Sequence, residues 1–234
     1  VVQRLSFLGA NVTIFDQNEK EGEKIAQKFF GNFVKVNIAD YNSVSKGLDK
    51  ARGRFGSERI CVNCAGIAPA QKTLSKGKGH SNELFENVLS VNLGGTFNLA
   101  SQSALEMSGL SQINESGERG VIVNTSSIAA YEGQMGQLAY SASKAGVLGM
   151  TLPMARDLAQ HGIRVMAVAP GIFSTPMVEG LPEEVQDNLA TSIPFPSRLG
   201  RPEEFADLVI QIVENSMLNG EIIRLDGAVR LQPR

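Results

Sequence analysis

Excess charge of either sign is missing from this chain: 22 Lys and Arg stand against 24 Asp and Glu, a formal net charge of -2. That balance makes no electrostatic case for a dedicated nucleic-acid binder or for a protein that adheres to a membrane surface. A small diffusible ligand is the expected partner. Long hydrophobic runs are missing too. No apolar run approaches the roughly 20 residues that cross a bilayer, and the first residues lack the basic, apolar and small-residue segments of a signal peptide. Cysteine and histidine are scarce, with two of each. Cys61 and Cys64 form a C-x-x-C, the spacing of thioredoxin-like redox centres. Residues 59–63 nevertheless read as a buried strand, in which positions three apart point to opposite faces, and neither sulfur sits at a helix N-terminus that would lower its pKa. Both thiols are therefore expected to pack as small hydrophobes. His80 and His161 have no ligand spacing to the cysteines, which excludes a zinc site. Internal repeats, low-complexity runs and interdomain linkers are absent as well.

What is present is a chain of 234 residues, 42% hydrophobic, long enough for one sizeable α/β domain spanning 1–234. Strand-like stretches at 11–15, 33–36, 59–63, 121–125, 164–169 and 221–225 alternate with helical ones at 21–30, 43–52, 84–107, 139–160 and 202–214. Such alternation predicts a mostly parallel sheet, doubly wound in the Rossmann manner, with helices on both faces. Pro202-Glu203-Glu204 marks a helix start, while His161-Gly162 and Leu8-Gly9 mark helix stops. The chain opens on Val1 inside what reads as the last turns of a helix. A dinucleotide fold needs a first strand and a Gly-rich phosphate-binding turn ahead of that helix. Roughly 20 to 25 further residues are therefore expected before Val1. Two polar stretches, 71–80 and 108–120, read as surface loops.

Asp16 follows the strand 11–15 and closes the first βαβ crossover, where a carboxylate can accept from an adenosine ribose 2'-hydroxyl. With no Arg immediately beside it, Asp16 favours NAD over NADP, although taken alone it is also an ordinary turn aspartate. Asn63-Cys64-Ala65-Gly66 and Pro170-Gly171 end strands with small residues that let backbone approach a ligand, each a weak signal alone. The strongest signal is Tyr140-Ser141-Ala142-Ser143-Lys144, preceded by Asn124-Thr125-Ser126-Ser127 at a strand end. Tyr140 and Lys144, four apart on a predicted helix, share one face. A phenol with a reference pKa near 10 is a poor base at neutral pH, but an adjacent ammonium and an oxidised nicotinamide ring favour the phenolate. Tyr140 then serves as general base for alcohol oxidation and as general acid for carbonyl reduction. Ser127 is expected to hold the substrate oxygen, and Lys144 the nicotinamide ribose. A lone Y-x-x-x-K usually marks a helix surface; the Ser-bearing strand end raises this one above that reading.

Tyr140 to Lys144, Ser127, Asn63 to Gly66, Val91-Asn92 and Pro170-Gly171 together make the chain resemble the classical short-chain dehydrogenase/reductase family over essentially its whole length. The resemblance implies a seven-stranded Rossmann sheet, usually a homotetramer, and a role for Asn92 in binding a water that links Lys144 to solvent as a proton relay. It also implies that Asn37, Ile38 and Phe173 contact the cofactor and that Gln134 and Gln137 border the substrate. Asn37 stands where the family commonly has an aspartate near the adenine. Within the family, residues 132–137, 149–158, 194–200 and 218–228 are similar to the subgroup of type-2 3-hydroxyacyl-CoA dehydrogenases, also called type-10 17β-hydroxysteroid dehydrogenases, and their bacterial relatives. That subgroup implies NAD-linked interconversion of a 3-hydroxyacyl-CoA and a 3-ketoacyl-CoA. Lys72, Lys76 and Lys78 offer charge for coenzyme A phosphates or are simply solvated. Residues 173–191, with Pro176, Met177, Leu181 and Pro182, read as a mobile apolar lid that suits an acyl chain or a steroid. The alternatives are a hydroxysteroid dehydrogenase, an NADPH-linked 3-oxoacyl-carrier-protein reductase, which Asp16 argues against, and a non-catalytic subunit of an RNA-processing assembly. The expected compartment is the bacterial cytoplasm, with the mitochondrial matrix as alternative.

Overall fold

The computed structural model describes every residue except 176, 177, 179, 181 and 234. Pro176, Met177 and Leu181 of the expected lid thus lie outside the described residues. Strands β1 (Thr13–Asp16) and β2 (Asn32–Lys35) pair parallel with each other. A second parallel sheet runs in the order β3 (Ile60–Asn63), β6 (Gly120–Thr125), β7 (Ile163–Pro170) and β8 (Ile222–Leu225). All six expected strands are present, displaced by two residues at most. The sheet is nonetheless in two pieces. Between β1 and β3 lies a slot of about 850 Å³, lined by Asp16, Ile38, Asn63, Gly66 and residues of α1 (Val2–Phe7).

Both faces of the larger sheet are covered, which is why its central strands read as continuous apolar runs. Ile122, Ile163 and Val165 pack on one face with Ala100, Ala104 and Met107 of α5 (Gly95–Ser108) and Ala155 of α6 (Leu138–Ala159). Val121, Val123, Met166 and Val168 point the other way, against Val209 and Ile212 of the helix Pro202–Glu214. The period of two along each strand makes this division. Removing such side chains from water contributes roughly 1.5–3 kcal/mol each. Cys61 belongs to the first cluster at 5% exposure, and burial pushes its thiol up to about 12. Cys61 is packed as a hydrophobe, as expected; Cys64 lies just past the end of β3, exposed and lining the slot, so the expectation holds for the first thiol only.

Two expectations change. The stretch 84–107 is not one helix: α4 (Asn82–Leu89) is joined to α5 by a π-helical turn, Ser90–Gly94. The stretch 71–80 is not an irregular loop. It contains an antiparallel hairpin of β4 (Leu74–Ser75) and β5 (Lys78–Gly79), turned by Lys76 and Gly77, both at positive φ. Positive φ at both central residues is what a two-residue hairpin turn of the favoured hand requires. Among the described residues, no helix is long and apolar enough to cross a membrane.

Candidate active site

In open α/β sheets ligands bind at the carboxyl ends of the strands. The C-terminal ends of β3, β6 and β7 carry Asn63, Thr125 and Pro170. Ser127 follows β6 directly, and its hydroxyl oxygen accepts from Ala129 N at 3.1 Å. A short 3-10 turn, Ile128–Ala130, then leads into the segment that reaches α6. Tyr140 and Lys144 lie on the first turns of α6, one helical turn apart. The Ser127 hydroxyl lies near enough to the Tyr140 phenol to favour its ionised form.

Lys144 is 4% exposed. Its Nζ donates to Thr125 O at 2.8 Å and lies 5.8 Å from the centroid of the Tyr140 ring. Burial pushes this ammonium down to about 8, with the nearby Cys64 opposing. Burial raises the Tyr140 phenol, and the nearby Ser127 hydroxyl opposes that. The expected lowering of the phenol by Lys144 is therefore not what these residues produce by themselves. The ammonium is engaged by Thr125, while the phenol lies beside Ser127, and desolvation governs both.

Asn92, fully buried, sits on the π turn. Its Oδ1 accepts from Ile67 N at 2.8 Å; its Nδ2 donates to Ile67 O at 2.9 Å and to Ser143 Oγ at 3.0 Å. Ser143 Oγ in turn donates to Tyr140 O at 2.7 Å. Asn92 thus ties the chain after β3 to α6 beside Tyr140 and Lys144. Such π turns recur at functional sites because the extra residue redirects side chains. A Cβ on Gly66 would stand 3.3 Å from Asn92 Oδ1 and 3.5 Å from Lys144 Nζ. The small residue there keeps backbone close to the site.

The other predicted residues divide. Asp16, at the end of β1, accepts from Asn18 N at 2.8 Å through Oδ1, the one hydrogen bond of its carboxylate among the described residues. The second carboxylate oxygen has no hydrogen-bond partner among those residues. Asn37 Oδ1 accepts from Ala39 N and from Gln17 Nε2, both at 3.2 Å. Ile38 packs against Gly95, and its carbonyl accepts from Asn98 Nδ2 at 3.1 Å. Asn63 is turned inward, donating to Asn124 Oδ1 at 2.9 Å. Cys64 and Ala65 line the slot with it. Gly171 lies where a Cβ would meet Asp226 Cα at 2.8 Å, and the Phe173 ring packs on Gly200. Those two residues serve packing around β7 and β8. Gln134 and Gln137 lie between Ser127 and Tyr140 as expected, but both side chains hold the segment itself. Gln137 Oε1 accepts from Gln134 N at 2.9 Å, and Gln134 Nε2 donates to Gln232 O at 3.0 Å.

Sequence reasoning missed Thr125 O, Ser143 and the ion pair of Glu132 with Arg224 at 2.7 Å. A carbonyl carries no residue-type signal, and Glu132 and Arg224 are 92 residues apart.

A hydroxyl-bearing strand end, a half-buried phenol and a buried ammonium one helical turn away, grouped at the carboxyl ends of a parallel sheet, define an oxidoreductase site of the short-chain type. A family model described as short chain dehydrogenase matches residues 1–186, and the chain belongs to that family. It is 52% identical to the human 3-hydroxyacyl-CoA dehydrogenase type-2, over 99% of this chain and 90% of the relative. A crystal structure of 3-hydroxyacyl-CoA dehydrogenase type-2 from Mycobacterium avium is similar with a TM-score of 0.94 and 40% identity, covering 100% of this chain and 91% of that one. The 3-oxoacyl-acyl-carrier-protein reductase of Thermotoga maritima is 35% identical over 94% of this chain and 88% of its own length.

Proposed function

We propose that this protein catalyses the reversible NAD-linked oxidation of a 3-hydroxyacyl-CoA to the 3-ketoacyl-CoA. The observation that carries the reading is the grouping of Ser127, Tyr140 and Lys144 in a chain half identical to a dehydrogenase of that name. NAD would supply the hydride acceptor. Three features fit it: the unengaged oxygen of Asp16 for a ribose hydroxyl, the close backbone at Gly66, and the Lys144 ammonium, whose one hydrogen-bond partner among the described residues is Thr125 O. The slot between β1 and β3, bordered by Asp16, Asn63, Cys64, Ala65 and Gly66, supports the reading of a dinucleotide site there.

In the oxidative direction Ser127 hydrogen-bonds the substrate hydroxyl and holds it beside the Tyr140 oxygen. Tyr140 accepts the hydroxyl proton as hydride leaves the carbon, and it returns the proton to the carbonyl oxygen in the reverse direction. Lys144 would hold the nicotinamide ribose through its ammonium. Asn92 fixes the backbone at Ile67 and, through Ser143, the first turn of α6.

Exposed apolar side chains on α5 and α6, among them Phe97, Leu105, Leu138 and Leu152, support a homotetramer whose interfaces cover these helices. The bacterial cytoplasm is the proposed compartment, supported by the likeness to the Mycobacterium avium protein, with the mitochondrial matrix as alternative.

The test is the absorbance of NADH or NADPH during turnover of acetoacetyl-CoA by the full chain at neutral pH. Turnover with NADH alone is expected. Turnover with NADPH and an acyl-carrier-protein thioester, but not with NADH, would replace the proposal with the reductase reading. No turnover from a folded protein would remove the acyl-CoA assignment.

A further inference from the structure

We propose that Arg224 and Glu132 are a positioning pair that sets the segment 131–137 against α6, and so fixes how Ser127 and Tyr140 face each other across the substrate.

Arg224 belongs to β8, at the far edge of the larger sheet, and its planar guanidinium touches four groups at once. It donates to Glu132 Oε1 at 2.7 Å, to Asp226 Oδ2 at 2.7 Å and to Val229 O at 3.2 Å, and it stacks over the Tyr131 ring at 5.0 Å from the centroid. Lys has neither the fork nor the flat face to do this. Glu132 uses its second oxygen to accept from Leu231 N at 3.1 Å. Its carboxyl is held below the usual range chiefly by the Arg224 hydrogen bond.

The same segment is then clamped twice more from the chain that follows β8. Gln134 Nε2 donates to Gln232 O, and Met135 N to Pro233 O, both at 3.0 Å. From Glu132 the path to the reacting groups is short in both directions. Backward, Tyr131 N and Glu132 N both donate to Ile128 O, in the turn that Ser127 opens. Forward, Gly133 lies so close to α6 that a Cβ there would overlap Ser141, the residue after Tyr140, and would come within 3.3 Å of Ala129 O. A shift of Glu132 therefore moves the segment that separates Ser127 from Tyr140. Neither Arg224 nor Glu132 reaches the reacting atoms, so their effect passes through the segment. Orientation of bound reactants is sensitive to displacements of this kind.

This inference rests on the dehydrogenase reading for its kinetic arm and is independent of it for its structural arm. The variants are Arg224→Gln, Glu132→Gln and the pair together, measured as full chains whose melting is first checked against wild type. In the structural arm, hydrogen exchange at the amides of 131–137 is expected to speed up at least tenfold in Arg224→Gln while β6 and β7 keep their protection. In the kinetic arm, KM for the hydroxy substrate rises and kcat falls by about tenfold, while KM for NAD stays within twofold. The loss in the double variant should fall short of the sum of the two single losses, since both changes remove the shared bond, while Arg224 also holds Asp226 and Val229 and Glu132 also pairs with Arg230. Arg224→Lys should recover only part of the loss. Unchanged exchange at 131–137, or a loosening spread evenly over the sheet, would overturn the inference and leave Arg224 a general stabiliser. If wild type does not turn over acyl-CoA but exchange still rises locally, the substrate reading fails and the positioning pair stands.

Discussion

Lys144 Nζ donates to the backbone carbonyl of Thr125 at 2.8 Å, which fastens the ammonium to the end of β6, two residues before Ser127. Burial holds that ammonium near 8, well below the ordinary 10.5. The folded state then binds fewer protons than the unfolded one between about 8 and 10.5. Stability attributable to this group accordingly rises with pH across that window, and below it the cost of the buried charge is carried in full. In Lys144→Met that dependence disappears, so the Tm of wild type should gain on the variant from pH 7.5 to pH 10. Titration of labelled lysine side chains by NMR should show one midpoint near 8, and a midpoint near 10.5 would contradict the buried state.

Tyr140→Phe keeps the ring and removes the proton carrier. Loss of positioned acid–base catalysis typically costs about 10²–10⁴ in rate, so kcat should fall by that range with little change in Tm. In wild type, alcohol oxidation needs the phenolate and should speed up as pH rises, while carbonyl reduction needs the phenol and should slow down. Parallel pH profiles in the two directions would remove Tyr140 from the proton path. If the protein acts as a scaffold, Tyr140→Phe should leave binding to its partner intact.

Asp16→Ala should weaken NAD binding by tenfold or more, since a hydrogen bond to a charged group contributes about 1.5–3 kcal/mol. Binding of NADP should improve relative to NAD, because the carboxylate that repels a 2'-phosphate is gone. Calorimetry with each cofactor checks this; an unchanged ratio would make Asp16 an ordinary turn residue.

Glu118→Ala should destabilise the protein by about 3–5 kcal/mol, the range for stranding one member of a buried ion pair. Glu118 and Arg164, at 8% and 6% exposure, meet at 2.8 Å. Arg164 also donates to the carbonyls of Ile212, Val213 and Leu218, closing the end of the helix Pro202–Glu214. Arg164→Met should therefore cost at least as much. Urea denaturation with an unchanged slope would show that stability, and not the unfolded state, had moved.

The sequence by itself determined the six longer strands, the parallel class of the sheet, most of the helices and the placing of Tyr140 and Lys144 on one helix. Those features follow from local periodicity: two-sided burial writes apolar runs into β6 and β7, and residues four apart share a helix face. It also marked Ser127 and Asp16 by their places at strand ends. Only the tertiary structure decided which groups complete the site. The bond between Lys144 and Thr125, the π turn under Asn92, and the pairs Glu118 with Arg164 and Glu132 with Arg224 join segments 19 to 92 residues apart or depend on backbone atoms. The hairpin at Lys76-Gly77, the bond of Gln134 to Gln232 O and that of Gln137 to Gln134 N were hidden for a related reason. No short-range pattern records where a side chain finds its partner once the chain has closed on itself.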